Sequence, residues 1–232
     1  MIGRRGAITA RSRWLHLAGA VVLALGRSVS SVQRLSPSLQ APARPLTADE
    51  RAVLQPVLAG GTALDDIRII DGRAGLFDVV PHPFTLGTTI YLKGRRAPGL
   101  LVHEAVHVWQ YRTRGARYTV EALGAQARYG TARVGGAYDW RAEVRRGRTR
   151  WRDLYAEAQA QFVQELWEEG VGIVDGRVER GGGAFFRAVE AGGPARLDDG
   201  PVDRSALARE CVAALRGGGG MTAPSEIPHA PD

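Results

Sequence analysis

The sequence predicts a mostly helical α+β fold, a single domain in which a small β element packs against one central helix. Three observations predict it. Apolar residues recur at helical 3,4 spacing along most of the middle of the chain, whereas only two short runs read as strands. With 44% hydrophobic residues in a chain of 232, one sizeable core can be buried. Residues 100–110 are apolar nearly all the way round, which marks a buried central helix.

The elements follow in order. Arg4, Arg5, Arg11 and Arg13 precede an apolar stretch, 14–25, broken by His16, so residues 1–30 read as a signal-like or anchoring leader. The stretch is short of the roughly 20 apolar residues a membrane span needs. Export or membrane association is therefore the expectation, with a cytoplasmic location as the alternative. Residues 31–45, rich in serine and proline, read as a linker, and the domain proper occupies 46–216.

Thr47 and Glu50 form a capping box, followed by Val53, Leu54, Val57 and Leu58 on one helix face and a stop at Gly60. Ile67 and Ile69 alternate in a short strand that ends at Asp71-Gly72, and residues 88–92 form a second strand. The central helix starts at Pro98 and ends at Gly115, after Arg112 and Arg114. A helix over 118–127 and a Gly135-Gly136 turn come next. Leu154, Ala158, Phe162 and Leu166 then mark the buried stripe of a helix over 153–167. Two more helices are expected at 184–191 and 205–215, the latter with Leu207, Cys211 and Leu215 on one side. Residues 217–232 read as a disordered tail.

The central helix carries H-E-x-x-H as His103-Glu104-Ala105-Val106-His107. Positions four apart share a helix face about 6 Å apart along the axis. Both imidazoles can thus hold one Zn²⁺ ion, and Glu104 can reach a water at that ion as general base. Burying three such groups without partners would cost about 1–3 kcal/mol each, so something polar must meet them inside. A third ligand is needed. The metzincin pattern would place Gly and His where Gln110 and Thr113 stand, which excludes that class. Glu157, beside the stripe of the 153–167 helix with small Ala156, Ala158 and Ala160 around it, is one candidate. Glu121, the first acid after the motif helix, is the other.

Three islands resemble a known family: LLVHEAVHVWQYRTRG at 100–115, Ala137-Tyr138-Asp139, and DLYAEAQAQFVQELW at 153–167. They are similar to the zincin-like metallopeptidases related to the core domain of extracellular contractile injection systems and to type VI spike-associated proteins. The likeness spans about residues 46–167, and the family's asparagine near the third helix is either replaced by Tyr155 or absent. It implies a zincin-like domain whose third zinc ligand is Glu157. It also implies metallopeptidase activity of gluzincin type on a peptide or protein substrate. The rival expectation is a zinc-containing assembly module that serves as a secretion-apparatus component. By analogy with zincin folds, the strand at 88–92 would offer its edge to extended peptide. Tyr138, between the two ligand helices, is the candidate oxyanion donor and thus a second catalytic residue beside Glu104, with His82 a weaker candidate.

Net charge is +7, with Lys93 the sole lysine. Such a balance suits an anionic surface. The densest basic run, Arg141 to Arg152, reads as a solvated loop; no nucleic-acid fold motif accompanies it, so no specific nucleic acid is expected. The lone Cys211 excludes an internal disulfide framework and a cysteine-rich zinc finger.

Overall fold

The computed structural model describes residues 3–33, 38–58, 64–120, 135–199 and 202–217. The architecture is α+β. Its helices are α1 (Gly3–Gln33), α2 (Ala48–Leu58), α3 (Pro98–Arg114), α4 (Trp140–Arg145), α5 (Ala156–Glu169), α6 (Ala184–Glu190) and α7 (Ser205–Arg216). A first small sheet holds β1 (Arg68–Ile70), β2 (Phe84–Leu86) and β3 (Thr89–Tyr91) in the order β1-β3-β2, with β1 parallel and β2 antiparallel to β3. A second holds β4 (Val171–Val174), β5 (Arg177–Arg180) and β6 (Ala195–Arg196), all antiparallel, in the order β5-β4-β6.

Local chemistry sets the helix ends. The Thr47 hydroxyl accepts from the Glu50 N–H at 3.2 Å while the Glu50 carboxylate accepts from the Thr47 N–H at 2.8 Å, so α2 begins with a closed capping box. Pro98 stands in the first turn of α3, where an N–H would have no helical partner, and Gly115 ends the helix at φ 64°. Among the described elements, helices α3 and α5 make the most extensive contact, and they run antiparallel: Gly99 lies against Glu168, and Gln110 bonds the Ala156 carbonyl. Ala156, Ala158 and Ala160 are all buried. Around it pack Trp109 and Trp151, 5.4 Å apart, and Trp140, edge-on to Phe162 at 4.9 Å. Truncating any of these would cost about 3–5 kcal/mol.

Four expectations need correction. The strand read at 88–92 is β3, the middle of its sheet, so it has no free edge to offer; the edge beside it is β2, a strand too short to announce itself beside Pro81 and Pro83. The segment read as a linker is tied to the sheet: Arg44 exchanges both backbone hydrogen bonds with Ile69, at 2.9 and 2.8 Å, and Gln40 bridges Ala74. The basic run is not all loop, since α4 takes its first residues. Every arginine in it also meets a carboxylate: Arg141 with Glu165, Arg145 with Asp139, Arg146 and Arg148 with Glu143, Arg150 with Asp153, and Arg152 with Glu210. Finally, helix α1 continues through Gln33, past the residue-30 bound read for a leader, and bonds the domain through Arg27 with Tyr111 and Ser30 with Tyr91. As its short apolar stretch implied, no described helix is long and apolar enough to cross a membrane. Gly60, Glu121, most of the 118–127 helix and the tail beyond Gly217 lie outside the described residues.

Candidate metal centre

His103 and His107 stand one turn apart on α3, and the antiparallel α5 brings Glu157, in its first turn, between them. Glu157 Oε2 lies 3.4 Å from His103 Nε2 and 3.3 Å from His107 Nε2. All three ligand atoms fall within 4.8 Å of one another, and all three side chains are buried. A tetrahedral ion with arms of about 2.0–2.1 Å has ligand-to-ligand edges of about 3.4 Å, so both nitrogen-to-oxygen separations already match. This buried His103, His107, Glu157 group could hold a metal ion.

Electrostatics point the same way. Burial works against charge on His107, yet the facing Glu157 carboxylate outweighs it and pushes that imidazole up to about 9. Burial would likewise raise the Glu157 carboxyl, but the charges and hydrogen bonds of His107 and His103 hold it well below the usual carboxylate range. Lone pairs on three atoms aimed at one point repel unless a cation or a shared proton sits among them. The donor set therefore fits a divalent ion.

Next to the ligands, one orienting network had no sequence reading. Gln110 sends its amide N–H groups to the Ala156 carbonyl and to Gln159 Oε1, both at 2.9 Å, which leaves its own carbonyl facing His107 Nδ1 at 2.7 Å. His107 Nδ1–H therefore donates, and Nε2 keeps its lone pair for a metal. Gln159 is fixed in turn, accepting from Arg114 at 2.7 Å and donating to the Trp151 carbonyl at 3.0 Å. The spacing of Gln110, three residues after His107 on the same face, was the available signal. His103 has no such support among the described residues, where its buried Nδ1 meets no hydrogen-bond partner.

Glu104 is buried but is not among the three ligands. The Thr85 hydroxyl, on β2, lies 2.8 Å from its Oε2 and 3.0 Å from its backbone carbonyl. Thr85 also marks the open side of the sheet. The bonds Arg68 N–H to Thr88 O and Leu92 N–H to Ile70 O turn the even-numbered residues of β3 toward β1. Ile90, the partner of Thr85, thus spends its polar groups on β1, and Thr85 turns its own N–H and carbonyl outward. The outward carbonyl accepts from the Tyr118 hydroxyl at 3.3 Å. Burial, with Glu104 nearby, raises the Tyr118 phenol far above its usual range, so it stays a proton donor. Tyr118 stacks on His107 at 6.1 Å and half-buried Tyr138 stacks on His103 at 5.7 Å. Neither Thr85 nor Tyr118 was singled out by sequence. No hydrogen bond, ion pair or ring contact joins His82 to the site among the described residues.

No family model, no curated protein and no solved structure matches this chain.

Proposed function

We propose that the chain is a zincin-like, zinc-dependent metallopeptidase of gluzincin type, with His103, His107 and Glu157 as the zinc ligands. The observation that carries the reading is a buried His–His–Glu cluster with an uncoordinated, buried glutamate one residue from the first ligand. A site that only stabilised the fold would have no use for that second acid, whereas hydrolysis needs a base there. The two imidazoles and one carboxylate form a donor set suited to zinc, with a fourth position left for substrate or water. Zinc bound there supplies a Lewis acid and lowers the pKa of water toward about 7.

The protein's own groups do the rest. Glu104 takes a proton from the attacking water and returns it to the departing amine, and the Thr85 hydroxyl on Oε2 holds that carboxylate in place. The outward N–H of Thr85 pairs with the backbone of an extended peptide laid along β2, which brings its carbonyl beside Glu104. Tyr138, half-buried over His103, offers its phenol to the oxyanion.

The test is a comparison of zinc content and peptide-library cleavage in the parent, Glu104→Gln and His103→Ala. The parent should bind zinc and cleave, Glu104→Gln should keep zinc with cleavage reduced at least about a hundredfold, and His103→Ala should lose both. A zinc-loaded parent that cleaves nothing, or a Glu104→Gln variant as active as the parent, would overturn the proposal.

A further inference from the structure

Helix α1 is amphipathic in the wrong sense for a helix packed on a domain. The side it turns inward is small and polar. Ser30 and Gln33 are buried, with Tyr91 donating to the Ser30 hydroxyl at 2.9 Å and Gln33 bonding Gln40 at 3.3 Å and the Leu76 N–H. Arg27 donates to the Tyr111 hydroxyl at 2.6 Å. Gly19 and Gly26 bring the helix backbone against the Ala116 carbonyl and the Leu86 side chain, where a Cβ would not fit. Among the large apolar residues whose burial is described, 17–33, only Leu23 is buried.

This docking fixes which face points away, and that face is aliphatic. Leu17, Val21, Leu25 and Val32 are 57%, 57%, 63% and 67% exposed. At 100° per residue they fall within an arc of about 80°, a stripe interrupted by Ser28. Five arginines (4, 5, 11, 13 and 27) and no acidic residue lie within the same helix. An apolar stripe on a purely cationic helix matches an anionic lipid surface: the side chains enter the acyl boundary while guanidinium groups meet phosphate headgroups. A second copy of the chain would bring the same positive charge to both sides of a shared stripe, which charge complementarity disfavours.

We propose that α1 binds an anionic lipid surface through the stripe Leu17, Val21, Leu25 and Val32, lying in its plane and carrying the domain on its polar side. The proposal is independent of the metal centre. It is tested with the full chain and sedimented vesicles of phosphatidylcholine alone or mixed with phosphatidylglycerol. The parent should sediment with the mixed vesicles, lose binding in high salt and stay free with the neutral ones. A triple variant, Leu17→Ser, Val21→Ser and Leu25→Ser, alters only exposed positions and should reduce binding at least tenfold with an unchanged circular dichroism spectrum. No binding by the parent, equal binding to neutral vesicles, or full binding by the variant would overturn it. So would a parent dimer in analytical ultracentrifugation that the same triple variant dissociates.

Discussion

Two groups of ionisable side chains lean on α5 and differ in what neutralises them. Near the helix start, Glu157 faces two imidazoles; two turns on, Glu165 faces Arg141, within a segment whose other arginines are matched by Asp139, Glu143, Asp153 and Glu210. A guanidinium carries its charge permanently, so the arginine segment is closed as built. An imidazole carries charge only while it holds a proton, and that proton can be exchanged for a metal ion. The same acid type thus serves as a fixed strut in one place and, in the other, as part of a group that could hold a cation.

The sharpest way to break the comparison is to remove an acid from the closed group. Glu143 is 2% exposed and holds both Arg146 and Arg148. Glu143→Ala should cost about 2–3 kcal/mol in urea unfolding, reduced from the full buried-pair value because the arginines can reach water. Zinc content should be unchanged. A loss of zinc as large as the loss of stability would show that the two groups are not separate.

The orienting network sharpens the other half. Gln110→Ala should weaken zinc binding about 10- to 100-fold, and Gln110→Glu, whose carboxylate would face the Ala156 carbonyl and Gln159 Oε1 with no proton to donate, should not restore it in full. Unchanged affinity in the alanine variant, measured by competition with a chelating dye, would remove Gln110 from the site. A pH dependence follows from exchange itself. With His107 at about 9 in the metal-free protein, a proton competes with zinc at any lower pH. Affinity should fall about tenfold per pH unit below 9 and level off above it. A flat profile from pH 6 to 9 would contradict the proton–metal competition.

How far these features could be read beforehand follows from their range along the chain. The motif helix with its ends at Pro98 and Gly115, the Thr47–Glu50 box and the buried stripe of α5 are local patterns, and all appear as expected. The β4–β5 hairpin was also local but went unread, although Asp175-Gly176 between two apolar-containing runs is a turn signal; both residues have positive φ, 50° and 74°. Tertiary features were beyond sequence. Thr85 reaches Glu104 only because β2 folds back on β3, and Gln110 meets Gln159 only because α3 and α5 run antiparallel at close range. Serine and proline content suggested a linker at 31–45 because composition reports side-chain polarity, whereas Arg44 is held by backbone pairing with Ile69.

Two helices bring together the three residues of a single site that could hold a cation. Its most direct test is equilibrium dialysis against zinc, followed by metal analysis of the parent and of Glu157→Ala, with folding checked by circular dichroism. We expect one zinc per parent chain and less than about a tenth of that in the variant, the loss that follows when a required ligand is removed from a closed coordination set. Equal zinc in the two folded proteins would contradict the account.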